Sequence, residues 1–354
     1  MTSMIQNLLE RQKHRGLDRK LQTANGLIDL TSNDYFGFAK KERAQNACPG
    51  ATGSRLLTGH LPLYEQLEKW IAEFHRAESC LIFNSGYTAN LGLLSALGTA
   101  ASTFVYDREI HASMIDGMRL GKGKNIPFRH NDLSSLERRL QHNPHSVFVL
   151  IESIYSLSGD LAPIEAMTQL CAQYGANLIV DEAHATGNFG PRGEGLVCQL
   201  HLESKVFARI HTFSKALGAH GGCVVGSQLL KEYLLNYSRP LLYTTALPPS
   251  TLDHVAHNYH KLQEQAQEHQ EALQRLIQYF CQKTGRIHCH SPIQPLRLGS
   301  IEHTRAISHQ LREKGIDIRA IVPPTVRKDQ PCLRLVLHSF NQQRDIDLLL
   351  EVLG

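Results

Sequence analysis

Leu178-Ile-Val-Asp181-Glu-Ala-His184-Ala-Thr-Gly187 is a short apolar run that ends on a carboxylate and passes into small residues and glycine. A run this short, bounded by glycine, reads as a buried strand. Similar runs stand at Cys80-Leu-Ile-Phe83, Thr103-Phe-Val-Tyr106, Val147-Phe-Val-Leu-Ile151 and Val206-Phe-Ala-Arg-Ile210. Between them lie helical spacings, as in Leu61 to Arg76 (apolar at Leu63, Leu67, Trp70, Ile71 and Phe74) and Pro163 to Tyr174, stopped by Gly175. Continuous apolar strands alternating with helices predict an α/β fold with a mainly parallel sheet covered on both faces.

The pattern changes near Leu247-Pro-Pro249. A long helix is expected behind it, with apolar residues at 252, 255, 259, 262, 266, 273, 277 and 280. A strand at Leu333-Arg-Leu-Val-Leu337 and a terminal helix from Asp345 follow. The reading therefore has three parts: an N-terminal segment 1–40, a large domain 41–246 and a smaller α+β domain 247–354. The first segment opens on a helix marked by Ile5, Leu8 and Leu9, followed by an extended Leu27-Ile-Asp-Leu-Thr31. Neither internal repeats nor low-complexity linkers occur.

Composition narrows the function classes. The 354 residues are 42% hydrophobic and 20% charged, so a large core is expected. With 37 basic against 33 acidic residues, and no basic cluster interleaved with aromatics, nothing points to nucleic acid. No apolar stretch of about 20 residues suggests a membrane span, and Met1 to Lys20 has no signal-like apolar region. A soluble, cytoplasmic protein is expected. The eight cysteines are scattered without a CxxC, and several lie in apolar stretches, as Cys223 does, which predicts reduced, packed thiols. His288-Cys289-His290 lacks a second ligand pair, so no metal site is expected.

Four stretches hold the chemistry. Lys215 in Thr212-Phe-Ser-Lys215-Ala-Leu-Gly218 follows a strand directly, where α/β sheets place their ligands. A lone lysine is ordinarily a solvated surface residue. Asp181 closes a buried strand and so needs a donor or cationic partner, either a pyridinium nitrogen or the start of the next helix. Phe83-Asn-Ser-Gly86-Tyr-Thr-Ala-Asn90 runs from a strand through a small-residue turn into a helix, an arrangement that leaves backbone N–H groups for a phosphate. His111, in Asp107-Arg-Glu-Ile-His111-Ala-Ser113, is either a ring-stacking residue or a structural one.

In combination these stretches resemble the α-oxoamine synthases, a family of fold-type I pyridoxal-phosphate (PLP) enzymes. The resemblance runs from Thr31 to the C-terminus. It rests on Ser32-Asn-Asp-Tyr35, Gly53-Ser-Arg-Leu-Leu-Thr-Gly59, Ser85-Gly-Tyr87, Asp181-Glu-Ala-His184, Thr212-Phe-Ser-Lys215, Thr244-Thr-Ala-Leu-Pro-Pro249 and Leu333-Arg334-Leu, with His130-Asn-Asp132 and Pro323-Pro-Thr-Val326 in support.

The resemblance implies that Lys215 holds PLP as a Schiff base and acts as acid and base at the substrate α-carbon. It implies that Asp181 pairs with the ring nitrogen, His184 with the ring hydroxyl, and that His111 stacks over the ring. Ser85, Gly86 and Tyr87 would hold the phosphate, Ser156 and Thr212 would add hydroxyl contacts, and Thr244 or Thr245 would reach across from a second subunit of a homodimer. Asn33, Arg334 and Thr325 would meet the substrate, Arg334 as a fork on its carboxylate.

The implied reaction is decarboxylative acyl transfer from a thioester of acyl carrier protein or CoA, with alanine and a pimeloyl chain as the first expectation. A sister synthase with other substrates, or a catalytically silent cofactor-sensing protein, are the alternatives. Two positions depart from the family pattern: Val322 and Cys332 stand where arginines are usual. A nicotinamide dehydrogenase is a poorer reading, because the glycine run Gly187 to Gly195 lacks GxGxxG ahead of a helix.

Overall fold

The structure, a computed structural model, describes residues 14, 27–30, 34–38, 50–142, 146–286 and 290–353. The expected helix around Ile5 to Leu9, and Asn33, His288 and Cys289, lie outside the described residues.

The strands are β1 (Ile28–Asp29), β2 (Ser79–Phe83), β3 (Thr103–Asp107), β4 (Lys124–Phe128), β5 (Val147–Glu152), β6 (Asn177–Asp181), β7 (Ala208–Thr212), β8 (Gly222–Gly226), β9 (Ile293–Arg297), β10 (Ile316–Asp317), β11 (Ala320–Ile321) and β12 (Cys332–Val336). Seven of them form one sheet in the order β2-β8-β7-β6-β5-β3-β4. Pairing is parallel from β7 to β4, and β8 runs antiparallel to both β2 and β7. Six strand ends therefore point the same way, at Phe83, Asp107, Phe128, Glu152, Asp181 and Thr212, and the start of β8 at Gly222 joins that edge. The α/β class with a mainly parallel sheet is what the alternation of apolar runs predicts. β7 starts two residues later than its apolar run, and so ends on Thr212.

The central strands are buried on both faces, as their unbroken apolar runs require. One core joins them to flanking helices through Leu93, Leu94, Val149, Ile151 and Ile179. Each such side chain contributes roughly 1.5–3 kcal/mol by burial. A second core collects Tyr64, Ile71, Phe213 and Val225 on the other face. A third lies around the three-stranded sheet β11-β12-β9, with Leu273, Phe280, Leu333 and Leu349. The helix Pro249–Thr284 feeds two of these cores: Leu252, Val255, Tyr259 and Leu262 enter the second, and Leu273, Leu276, Ile277 and Phe280 the third. Near the other end of the chain, β1 pairs in parallel with β10, which ties Ile28 and Asp29 to the C-terminal part.

The loop after β5 docks on the C-terminal part at Gly159. Ser291 Oγ donates to the Gly159 carbonyl at 2.8 Å. Gly159 has φ +73°, and a Cβ there would lie 2.2 Å from the Ile293 carbonyl oxygen. Gly159→Ala is expected to cost about 1–3 kcal/mol, from left-handed backbone strain together with displacement of β9. Urea unfolding of the two proteins measures it.

The cysteine expectation needs one correction. Cys80, Cys171, Cys198, Cys223 and Cys332 are buried free thiols, but Cys281 is disulfide-bonded. Among the described residues no helix is long and apolar enough to cross a membrane, and no cluster of His, Cys, Asp and Glu is arranged to hold a metal.

Candidate active site

The sheet edge where the strand ends converge holds Asp181, Glu152, Thr212 and, three residues beyond β7, Lys215. Lys215 is half-buried. Burial lowers its ammonium pKa to about 8, partly opposed by the negative fields of Asp181 and Glu152 and assisted by Arg334. Its nearest acidic neighbours act through space, without an ion pair to the lysine among the described residues. An amine of that pKa is about one-tenth neutral at pH 7, far more than an ordinary lysine, and so is suited to covalent work on a carbonyl.

Asp181 is 5% exposed. Its carboxylate accepts from the Ala183 N–H at 2.9 Å and from Asn90 Nδ2 at 2.7 Å. The same Asn90 amide donates to Ser113 Oγ at 3.0 Å, and Ser113 Oγ lies 2.7 Å from His111 Nδ1. Ser113 N–H also donates to that nitrogen at 3.2 Å, so Nδ1 is the acceptor and the ring proton sits on Nε2. Burial keeps His111 below its ordinary pKa, with Lys215 adding to the effect and Asp181 opposing it. A hydrogen-bonded row thus fixes the Asp181 carboxylate and the His111 ring relative to each other. His111 reaches this position because it is the N-cap of the helix Ala112–Leu120.

His184 directly follows Ala183, whose amide binds Asp181, and it is 4% exposed. Its Nδ1 is 2.7 Å from the Tyr35 hydroxyl. That hydroxyl also hydrogen-bonds Arg334, and since a guanidinium can only donate, the tyrosine proton goes to His184. The His184 Nε2–H is then free to donate elsewhere. Burial, followed by the positive fields of Lys215 and Arg334, holds the ring neutral. Arg334 on β12 donates through Nε to the Ser156 carbonyl at 2.6 Å, and the Ser156 N–H donates to Glu152 Oε2 at 3.0 Å. Burial raises the Glu152 carboxyl to about 8, with the Asp181 charge adding to it.

The turn after β2 makes a cup. Ser85 caps the helix Gly86–Leu97 by a reciprocal pair with Thr88: Ser85 Oγ accepts from Thr88 N–H at 3.1 Å, and Thr88 Oγ1 from Ser85 N–H at 2.9 Å. Neither bond uses the first-turn amides of Gly86 and Tyr87, which an anion can take. The cup is crowded from below. A Cβ on Gly86 would lie 3.0 Å from Thr212 Cβ, and one on Gly222 would lie 2.6 Å from the Gly86 nitrogen. Thr212 Oγ1 pairs with Ser214 Oγ at 3.0 Å. Asn84 Nδ2 donates to the Thr245 carbonyl at 2.9 Å and lies 3.4 Å from Thr244 Oγ1, so both threonines border the same turn.

The structure thus brings together Lys215, Asp181, His184, His111, Ser156, Arg334 and the Ser85-Gly86-Tyr87 turn with Thr212. Thr325 is different: it is exposed in the loop after β11, with its N–H on the Val322 carbonyl at 3.1 Å. Arg319 and Arg327 do not compensate for Val322, since Arg319 faces Asp317 at 2.8 Å and Arg327 faces Asp329 at 3.2 Å. Four residues joined by hydrogen bonds to the predicted set are Glu152, Tyr35, Asn90 and Ser113. Glu152 shares the sequence signal of Asp181, a carboxylate closing a buried apolar strand, and the two are register partners.

This donor set fits PLP. A buried carboxylate with no side-chain cation in contact among the described residues, a neutral His donor, a helix-start cup and an amine of lowered pKa match the cofactor's ring nitrogen, ring hydroxyl, phosphate and aldehyde in turn.

Comparison with known proteins agrees. The aminotransferase class I and II family model matches residues 25–353. An 8-amino-7-oxononanoate synthase of Emericella nidulans is 37% identical, over 99% of this chain and 94% of its own length. The 8-amino-7-oxononanoate synthase 2 of Bacillus subtilis is 34% identical, over 99% of this chain and 96% of its own. Among solved structures, a serine palmitoyltransferase variant from S. paucimobilis with a bound PLP–myriocin aldimine superposes with a TM-score of 0.87. It is 26% identical and covers 98% of this chain and 95% of its own.

Proposed function

This chain belongs to the aminotransferase class I and II family and within it to the α-oxoamine synthases, and on that premise we propose that it condenses L-alanine with a pimeloyl thioester. The products are 8-amino-7-oxononanoate, carbon dioxide and the free thiol carrier, acyl carrier protein or CoA. The observation that supports this reading most is near-full-length identity to two synthases of that name, combined with the Lys215–Asp181–His184–His111 cluster.

Bound PLP supplies an electron sink for the pair left when the α-carbon loses its proton. The chain's own residues do the rest. Lys215 holds the cofactor and, once its amine is free, moves the proton at the α-carbon. Asp181, fixed by Asn90 and Ala183, keeps the ring nitrogen protonated. His184 would donate its Nε2–H to the ring hydroxyl, His111 would stack on the ring, and the Gly86 and Tyr87 amides would hold the phosphate, with Ser85 and Thr212 at the same turn and Ser156 beside Arg334. Arg334 would grip the amino acid's carboxylate, steered by Ser156 and Tyr35.

The pH dependence follows from the lysine. Only the neutral amine attacks a carbonyl, and its pKa lies near 8 rather than at the ordinary 10.5. The rate of cofactor capture by the apoprotein should therefore rise with pH up to about 8 and flatten above 9, about two units below an unburied lysine. Stopped-flow absorbance of apoprotein mixed with PLP measures it, and a continued rise to pH 10.5 counts against the burial described here.

A homodimer is part of the proposal. Leu57 and Tyr243 are 79% and 73% exposed, and Leu56 is exposed beside them. The Ala246 N–H donates to the Gly53 carbonyl at 3.0 Å, so the segments carrying these side chains converge. An apolar patch next to the Thr244-Thr245 border of the cup suits a second copy.

The discriminating experiment mixes purified holoprotein with single amino acids and then with acyl thioesters, following spectral change and released thiol. Alanine with pimeloyl thioester is the expected pair. A response to serine or glycine instead moves the chain to a sister activity, a reading that the serine palmitoyltransferase likeness keeps in view.

A further inference from the structure

His130 is outside the cofactor cluster, in the turn after β4, and is packed between two segments that serve that cluster. Its Nδ1 is 3.0 Å from Asp107 Oδ1, and its Nε2 is 3.3 Å from Asp160 Oδ2 and 3.8 Å from Glu109 Oε2. The Tyr155 ring meets the imidazole at right angles, 4.4 Å between centroids. Carboxylates only accept, so both ring nitrogens must donate, and the geometry calls for the imidazolium. Asp107 is fully buried and is further fixed by the N–H groups of Glu109 and Asn131, both at 2.9 Å.

The two carboxylates belong to different functional segments. Asp107 ends β3 and begins the loop that leads to His111. Asp160 closes the turn after β5: Tyr155 N–H donates to the Asp160 carbonyl at 2.9 Å, and Ile154 bridges to Leu161. Inside that turn lies Ser156, whose carbonyl receives Arg334 and whose N–H holds Glu152. Asn131, next to His130, donates to the Leu161 carbonyl at 3.1 Å and so fastens the same turn again.

We propose that His130, as an imidazolium between Asp107 and Asp160, is a positioning residue that holds the Ser156 carbonyl where it orients Arg334 toward the amino acid's carboxylate. This rests on the reading of Arg334 given above. Burial works against the charge on His130, but the bonds to Asp107 and Asp160 raise its pKa to about 10. Asp160 is correspondingly held below its usual range by His130, with Arg297 contributing. Asp107, Glu109, Asp160 and Tyr155 are the titratable groups that face the ring. A folded-state pKa above the ordinary 6.5 stabilises the protein fully below pH 6.5, and that contribution fades as pH rises through about 10.

The test compares His130→Gln, Asp160→Asn, Arg334→Lys and the His130→Gln/Arg334→Lys pair in the holoprotein. His130→Gln should raise the amino-acid KM about 10-fold, the worth of one charge-assisted hydrogen bond, with kcat changed less than 3-fold. The pair should be no worse than Arg334→Lys alone, since His130 acts through that arginine. In Asp160→Asn the imidazolium loses one partner, so the amino-acid KM relative to the parent should climb as pH rises from 7 to 9. Thermal unfolding of the apoproteins gives a readout free of substrate: the parent's advantage over His130→Gln should be full at pH 6.5 and shrink toward pH 10.

An unchanged KM in His130→Gln, or an effect that adds fully to that of Arg334→Lys, overturns the proposal. If Arg334→Lys itself leaves the amino-acid KM unaltered, the reading of Arg334 fails first, and the role of His130 falls with it.

Discussion

Lys215→Ala is expected to lower turnover by about ten-thousand-fold and to remove the absorbance near ~420 nm of lysine-bound PLP. Both losses have one source. On the proposed reading the amine forms the covalent link to the cofactor and is the base at the α-carbon, and among the described residues the cluster holds no second amine to replace it. The arrangement around it is specific: half-buried, lowered to a pKa of about 8, with Asp181 and Glu152 providing a negative field. The variant should still bind PLP non-covalently, because the cup at Gly86 and Tyr87, Asp181 and His184 are all untouched. Equilibrium dialysis with absorbance spectra separates the two effects. A preserved ~420 nm band would show that another amine holds the cofactor.

Asp181→Asn ranks second, with an expected loss of about 100- to 1000-fold in kcat, the range for removing one preorganised electrostatic partner from a buried site. The side chain is isosteric, but its single oxygen can accept from Ala183 N–H or from Asn90 Nδ2, not from both, because they bind different oxygens of the carboxylate. The charge and one of these two bonds disappear together. Without the charge the ring nitrogen of PLP has nothing to hold its proton, and the electron sink weakens. The same change acts on two neighbours with a defined sign. Asp181 raises the pKa of both Lys215 and Glu152, so both should fall in the variant. The pH profile of cofactor capture would then move below 8. Rapid-mixing kinetics across pH 6 to 10 measure that displacement, and a shift upward would contradict the field assigned to Asp181.

Much of the sheet was legible because its strands are buried on both faces and so are written as unbroken apolar runs. Several strands are not marked this way, β4, β8 and β9 among them. β4, Lys-Asn-Ile-Pro-Phe, is an exposed edge strand with a proline inside it, and nothing in its composition demands a sheet. β9 likewise contains Pro295 and pairs with β12 alone among the described strands. The antiparallel direction of β8 was also invisible, since a short apolar run looks the same from either end.

The site divides along a similar line. Residues at strand ends, such as Lys215 and Asp181, announce themselves by position. Tyr35, Asn90 and Ser113 act through partners far away in the chain: Tyr35 meets His184 across 149 residues, and Asn90 meets Asp181 across 91. Only folding brings those pairs together. Glu152 could have been found by the reasoning applied to Asp181. Thr325, chosen by resemblance, is exposed in its loop, and neither Arg319 nor Arg327 takes the place left by Val322.

The helix Pro249–Thr284 leaves a mark on how this molecule comes apart. Its first half supplies Leu252, Val255, Tyr259 and Leu262 to one apolar cluster, and its second half supplies Leu273, Ile277 and Phe280 to another. A chain cut at residue 246 would strip the first cluster of those four side chains, and a chain begun there would expose them to water. Neither fragment is expected to fold as the intact protein does. The two parts should melt together, in one cooperative transition, because the same rod is pinned into both.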